Sequence, residues 1–233
     1  MAGTIYLIPV TLGNTDFRAT IPEEVIRITL SIRHFIVEDV RSARRYLRML
    51  DKSFPIDDSV FYILNEHTSE KEITDFLQPA REGYNIGIMS EAGMPCIADP
   101  GTEAVRLAHI EKMRVVPLAG PSSILLALVA SGMNGQNFSF HGYLPVKPAE
   151  KEQKLKEIER RAKSGETQIF METPYRASRL AEKLVSFLGS GLKLCIASDI
   201  TLPSESIITM DITEWRKAGL SNEDRLTIFL VGS

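Results

Sequence analysis

The chain has 233 residues, 44% of them hydrophobic and 24% charged, which supplies real cores for one large domain or two small ones and excludes a low-complexity protein. Acidic side chains outnumber basic ones 30 to 27, a net charge of −3 that argues against tight non-specific nucleic-acid binding by the whole surface. Cys96 and Cys195 stand far apart without a C-x-x-C or Cys/His cluster, against both a disulfide framework and a metal site, and no cationic leader or run of eighteen apolar residues occurs, so the expectation is a cytoplasmic protein without a membrane segment.

In chain order, strand patterns alternate with helical ones. Residues 5–8 read as a strand, 23–32 as a helix, 35–37 as a strand, 42–50 as a helix and 60–64 as a strand. A helix over 70–81, a strand over 85–89, a helix over 102–111 and a strand over 114–117 follow. Such alternation predicts a largely parallel sheet between helices. Residues 122–131 are nearly all apolar and predict a buried helix, broken by Gly132, Asn134 and Gly135. Beyond it come a strand (138–143), a charged helix (148–163), a strand (168–172), a helix (177–188), a strand (194–198) and a hairpin-like pair near 206–210 and 225–231. More strands per helix predict a mixed sheet here. The expected organisation is an α/β domain over 1–118 and a second over 119–233, packed closely because no long linker separates them, with the ligand cleft between.

Two loops are placed where open α/β sheets bind ligands, after a strand and before a helix. The first is Ser90-Glu91-Ala92-Gly93-Met94-Pro95-Cys96-Ile97-Ala98-Asp99-Pro100-Gly101 and the second Leu118-Ala119-Gly120-Pro121-Ser122-Ser123-Ile124. Neither contains G-x-G-x-x-G or a P-loop, so a phosphate cradle is a poor reading. Gly93, Pro95, Pro100 and Gly101 predict a bent backbone offering its N–H and C=O groups to a ligand read by main chain and apolar contact, such as an uncharged adenosine moiety. Cys96 reads more readily as a small apolar side chain than as a reactive thiol. Among the basic segments, Lys147 to Lys163 is interleaved with Glu150, Glu152, Glu157 and Glu159 at helical spacing and reads as a solvated helix. Arg41, Arg44, Arg45 and Arg48 share one helix with few acids beside them, and stand equally well for an RNA contact or a solvated face.

With these residues in place, the chain resembles the tetrapyrrole methylase superfamily, and within it the branch that methylates a ribose 2′-hydroxyl of small-subunit ribosomal RNA. Ser90-Glu91-Ala92-Gly93-Met94-Pro95 with Asp99-Pro100-Gly101 is similar to that branch's S-D-A-G-T-P-x-x-x-D-P-G. Further matches follow in order: Pro9 with Gly13-Asn14, Glu38-Asp39-Val40-Arg41 for E-D-T-R, Asn65-Glu66-His67, the second loop for P-L-x-G-P, Phe138 to Pro145 for F-x-x-x-G-F-L-P, and Phe170-Met171-Glu172-Thr173-Pro174-Tyr175-Arg176 for F-x-E-[ST]-[PT]-[HY]-R.

The resemblance implies a two-domain α/β fold, mainly parallel in its N-terminal sheet and mixed in its C-terminal one, and S-adenosylmethionine as cofactor. Carried over by motif, the cofactor contacts are Pro9, Val10, Gly93, Met94, Pro95, Ile97, Ser122, Ser123, Ile124, Met171 and Thr173. The implied partners are ribosomal RNA or the small ribosomal subunit, and a second copy of the chain in a two-fold dimer. Methyl transfer from a sulfonium needs mainly proximity and orientation, which accounts for the lack of a catalytic triad; a non-enzymatic protein would lack one too. A ribose hydroxyl must lose its proton during or after attack, and Glu38, Asp39, Glu91, Asp99 and Glu172 are the carboxylates in matched motifs, although capping and bracing are their commoner roles. Arg41 and Arg176 suit either phosphate or an ion pair with Glu38 or Glu172. His67 and His141 read as polar packing.

The chain departs from the pattern in three places. Met94 replaces a small polar residue, Ser198-Asp199-Ile200-Thr201-Leu202 stands for R-E-[LI]-T-K, and Asn222-Glu223-Asp224-Arg225 precedes the last strand in place of a Gly-Glu pair. The alternatives are a porphyrin-precursor methylase, whose G-G-D-P loop is Ala92-Gly93-Met94-Pro95 here, and a non-catalytic RNA- or protein-binding relative.

Overall fold

The computed structural model describes residues 2–13, 16–220 and 224–233; Asn14 and Asn222-Glu223 of the motifs above lie outside them. The chain divides into two compact units, Met1–Ser122 and Ser123–Ser233.

The first unit alternates β1 (Thr4–Ile8), α1 (Glu23–Ser31), β2 (His34–Val37), α2 (Val40–Leu50), β3 (Val60–Ile63), α3 (Glu70–Phe76), α4 (Gln78–Arg81), β4 (Ile86–Met89), α5 (Gly101–Ile110) and β5 (Arg114–Pro117). Its strands form one sheet in the order β3-β2-β4-β1-β5, every pairing parallel, as the alternation predicts. Parallel strands buried on both faces must be apolar throughout, and the side chains divide by parity. Ile8, Phe35, Val37 and Met89 pack with Val25, Ala43 and Leu47 of α1 and α2. Ile5, Ile36, Ile86 and Ile88 pack with Ile73, Leu77, Ala104 and Leu107 on the other face. The helix expected over 70–81 is two helices, parted at Leu77. Pro79 has no N–H for the carbonyl of Asp75, and its ring would crowd that carbonyl, so the chain restarts with Pro79 in the first turn of α4.

The second unit contains α6 (Ser123–Ser131), β6 (Phe138–Tyr143), α7 (Pro148–Lys163), β7 (Thr167–Glu172), α8 (Pro174–Phe187), β8 (Lys193–Ser198), β9 (Ser206–Asp211), α9 (Ile212–Ala218) and β10 (Thr227–Gly232). The sheet order is β6-β7-β10-β8-β9; β6 and β7 are parallel and the other pairs antiparallel, the mixed sheet expected. Phe170 and Phe229, stacked with centroids 5.8 Å apart, centre a core against α7, α8 and α9, while α6 packs on β8, β9 and β10. On α7, Lys156 pairs with Glu152 and Lys163 with Glu159, each at 2.8 Å, as expected of a solvated helix.

Two expectations are corrected here. Residues 206–210 and 225–231 form no hairpin: β8 lies between β9 and β10 and pairs with both, and α9, which the strand reading passes over, occupies the connection. Asp211 and Glu214 cap that helix reciprocally, and Ile212 and Trp215 are its buried residues. Nor is α6 buried all round. Ala127, Leu128 and Ser131 are buried, but Leu125 and Val129, four residues apart on one stripe, are 52% and 76% exposed.

Candidate functional site

Strand order makes the site of the first unit. With β2, β4, β1 and β5 adjacent and parallel, their carboxyl ends deliver Glu38-Asp39, the first loop, Pro9-Val10 and the second loop to one edge. The first loop crosses to the end of β1, where the Val10 N–H donates to the Gly93 carbonyl at 2.9 Å. Gly93 has φ +71°, and a Cβ there would stand 3.0 Å from Leu12 Cδ2 and 3.3 Å from the Pro121 carbonyl oxygen. Gly120 of the second loop lies against Pro9 so closely that an added Cβ would fall 2.2 Å from Pro9 Cβ. Pro9 is also held from α2, whose buried Tyr46 donates its hydroxyl to the Pro9 carbonyl at 3.0 Å. Of the expected cofactor contacts, Pro9, Val10, Gly93, Met94, Pro95 and Ile97 are therefore gathered along joined loops, Val10, Gly93 and Pro95 buried, Met94 half-buried and Ile97 44% exposed. Ser122, 9% exposed, closes the unit.

Bracing within the first loop amends its expected chemistry. Asp99 accepts the N–H groups of Cys96 at 2.7 Å and Gly101 at 2.8 Å, and Thr102 Oγ1 donates to the Cys96 carbonyl at 3.2 Å. Several main-chain groups expected to meet a ligand thus have partners inside the loop. This bracing holds Cys96 and Ala98 at φ +66° and +59°, left-handed conformations that cost non-glycine residues energy. Burial pushes the Cys96 thiol up to about 12, which leaves little thiolate at neutral pH and agrees with a packing role.

The acidic candidates separate. Asp39 caps α2, accepting the Ser42 N–H at 2.7 Å, and that hydrogen bond holds its carboxyl below the ordinary range. Glu38, Glu91 and Asp99 come together instead, at the ends of β2 and β4. Burial raises the Glu38 pKa, and the nearby Asp99 and Glu91 carboxylates raise it further, although the Glu91 N–H donates to Glu38. Glu91 itself is exposed. Burial likewise raises Asp99 against the hydrogen bonds that favour its charge. Arg41, Arg44, Arg45 and Arg48 are exposed along α2, with the Arg44 guanidinium 5.3 Å from the Phe61 ring centroid and Arg48 donating to the Lys52 carbonyl.

In the second unit, Ser123 and Ile124 begin α6, Met171 and Glu172 end β7, and Thr173 follows as the N-cap residue of α8. Parity sends Met171 to one face of the sheet and Glu172 to the other. Glu172, with only 1% of its side chain exposed, accepts at Oε1 from the Thr173 N–H at 2.8 Å and from Arg176 Nε and Nη2 at 2.9 and 2.6 Å. Its Oε2 is buried without a partner. The Arg176 fork is thus committed to Glu172, the ion-pair alternative of the sequence reading. His141 shares a 2.8 Å hydrogen bond with Gln168 Oε1, and burial lowers its pKa; His67 is exposed beside Glu66. Among the described residues no group of three His, Cys, Asp or Glu side chains is placed to hold a metal ion, and no helix is long and apolar enough to cross a membrane.

Two contributors escaped the sequence reading. Tyr46 shares the buried side of α2 with Ala43, Leu47 and Leu50, so its apolar spacing concealed the hydroxyl's role. Thr227, opposite Ser198 in the β10/β8 ladder and joined to it at 3.0 Å, sits in a run that reads as a plain strand.

Comparison with known proteins adds identity to this geometry. Residues 5–215 match the family model for tetrapyrrole (corrin/porphyrin) methylases. The chain is 31% identical over 213 residues to ribosomal RNA small subunit methyltransferase I of Vibrio cholerae, covering 91% of this chain and 70% of the relative. It is 32% identical over 227 residues to the protein of that name from Bacillus subtilis, covering 96% and 72%. In fold it is similar to the methyltransferase CobJ, with a TM-score of 0.66 at 19% identity over 100% of this chain and 95% of that one. It is also similar to uroporphyrin-III C-methyltransferase from Thermus thermophilus, solved with S-adenosylhomocysteine, with a TM-score of 0.60 at 16% identity over 99% and 98%.

Proposed function

The chain belongs to the tetrapyrrole methylase family and is an S-adenosylmethionine-dependent methyltransferase, and we propose that the group it methylates is a ribose 2′-hydroxyl of small-subunit ribosomal RNA. The observation that carries this reading is the identity of about 30% to ribosomal RNA small subunit methyltransferase I along most of the chain. Geometry supports the cofactor half of it. The unbranched approach of Gly120 to Pro9 and the left-handed turn at Gly93 leave main chain and apolar side chains at the edge of the first sheet, a surface suited to an adenosine moiety. The cofactor supplies a methyl group already activated by its sulfonium.

In the first unit Pro9, Val10, Gly93, Met94, Pro95, Ile97 and Ser122 hold the cofactor; in the second, Ser123, Ile124, Met171 and Thr173 do so. Asp39 is occupied as a cap, Asp99 as a brace and Glu172 by Arg176, and Glu91 is exposed to solvent, which leaves Glu38 as the carboxylate to receive the hydroxyl proton. Its raised pKa makes it a better base than an ordinary glutamate. Arg41, Arg44 and Arg45 on α2 contact the RNA backbone, and an RNA substrate places the enzyme in the cytoplasm. A two-fold homodimer covers the Leu125 and Val129 stripe; sedimentation equilibrium tests this, a monomer at micromolar concentration speaking against it.

The deciding experiment transfers labelled methyl from S-adenosylmethionine to small ribosomal subunits isolated from a strain lacking the gene, then maps the label. Label on a ribose 2′-oxygen is the expected result. Label on a base, or none despite confirmed cofactor binding, overturns the assigned acceptor.

A further inference from the structure

The second unit contains a cavity of about 290 Å³ between its sheet and α8 and α9, and none of the residues assigned above to methyl transfer lines it. Its walls are apolar: Ile196, Ile208, Met210 and Phe229 from the strands, Trp215 from α9 and Ala181 from α8. Its polar end comes from the sheet register. Thr227 stands opposite Ser198, and Ser198 opposite Ser206, so one row of hydroxyls crosses three strands on the face toward α8 and α9. All three line the cavity, with Arg225 beside them.

The direction of the hydrogen bonds in this row defines what it can receive. Thr227 Oγ1 donates to the Arg225 carbonyl at 3.0 Å, so its 3.0 Å bond with Ser198 takes the Ser198 proton, and the Ser198 oxygen faces a ligand as an acceptor. Arg225 Nε donates to Asp199 Oδ2 at 2.7 Å, so the cation at this end is already balanced. A free carboxylate, as on a fatty acid, gains little from a balanced cation and the Ser198 acceptor oxygen; a neutral planar ring with an N–H edge suits both the walls and the end.

We propose that this cavity binds a nucleobase, with its ring between the apolar walls and its amino edge at Ser198. The occupant is a free nucleoside or a base of an RNA strand, and the assignment is independent of which group the enzyme methylates. Trp215 is the chain's one tryptophan and lies in the cavity wall, its ring fixed by an Nε1–H bond to the Leu194 carbonyl at 2.8 Å, so its fluorescence reports on the site.

The experiment titrates the intact protein, alone and saturated with S-adenosylhomocysteine, with adenosine, cytidine, purine riboside (which lacks the amino group), octanoate and short single-stranded RNA oligomers. Expected are a saturable change with adenosine and cytidine that survives S-adenosylhomocysteine, binding of purine riboside weaker by about tenfold, and loss of the signal in Ser198→Arg. Ile208→Phe, at a position 44% exposed, narrows the cavity from its rim and is the second variant should Ser198→Arg fail to fold. Oligomers binding at least about tenfold tighter than nucleosides identify an RNA strand as the source, and equal affinity identifies a free nucleoside. The proposal is overturned if no nucleoside gives a saturable change, if octanoate alone does, if purine riboside binds as well as adenosine, or if S-adenosylhomocysteine displaces the nucleosides.

Discussion

In the first unit the candidate residues arrive from parallel strands whose carboxyl ends share an edge, whereas in the second the same kind of edge mixes ends and starts: Glu172 and Ser198 finish β7 and β8, while Thr227 and Ser206 begin β10 and β9. The first arrangement hands its site to loops, which hold their shape through glycine turns, the Asp99 brace and left-handed backbone at Cys96 and Ala98. The second places polar side chains directly on a hydrogen-bonded ladder, where strand register sets their neighbours. Changes in the first unit are therefore expected to alter binding and rate, and changes in the second to alter stability first.

The largest expected effect tests the loop side of this contrast. Glu38→Gln should lower methyl transfer by about 10²–10⁴-fold with cofactor binding retained, and should remove the rise in rate as pH passes upward through a carboxyl pKa held above the ordinary glutamate value. A wild-type rate in the variant would end the proton-acceptor assignment. On the ladder side, Arg176→Ala strands the buried Glu172 carboxylate and should cost about 3 kcal/mol in urea unfolding, reduced toward zero in the Arg176→Ala/Glu172→Gln double variant. An equal loss in both would locate the cost in packing rather than charge.

Gly93→Asp should weaken S-adenosylhomocysteine binding by about tenfold or more, from roughly 1–2 kcal/mol of left-handed strain and the crowding of Leu12, as read by calorimetry. Unchanged binding would remove the first loop from the pocket. Replacing Arg41, Arg44 and Arg45 by Gln should flatten the dependence of log affinity for RNA on log salt by about 2–3, and an identical slope would move the RNA surface elsewhere. The smallest effect sharpens the ladder side. Two bonds from Arg161, assisted by Ser139, hold Glu166 down to about 2 from its ordinary 4.5, so its contribution to stability is present above 4.5 and is lost as pH falls toward 2. Glu166→Gln should show a shallower fall in thermal midpoint across that window; a fall as steep as wild type would mean that other carboxylates govern acid unfolding.

Much of the first unit was legible in the sequence because each strand there is a short apolar run followed by an amphipathic helix, and parallel pairing needs only that repeated unit. The roles of the acidic residues were not legible. Asp39 and Glu38 are chain neighbours, yet one caps α2 and the other faces Glu91 and Asp99, a difference set by which N–H groups lie within reach. The break at Leu77 is masked in the sequence because apolar spacing continues across Pro79, whose missing N–H and ring end the first helix only where its carbonyl partner would lie. The exposed stripe of α6 was hidden for the opposite reason: a helix apolar all round carries no mark of the face that it buries.

The sequence by itself determined the alternation of elements, the parallel and mixed character of the two sheets, the two strand-end loops and, through its motifs, the family, because these depend on local periodicity, turn chemistry and residue identity. Tertiary structure alone decided that Gly120 lies against Pro9, that β8 separates β9 from β10, that the Glu172 and Arg176 charges meet, and that Ser198 and Thr227 form one end of a cavity. Those facts join residues distant in the chain, and the free energy that joins them comes from burial and hydrogen bonding that exist only once the strands are in register.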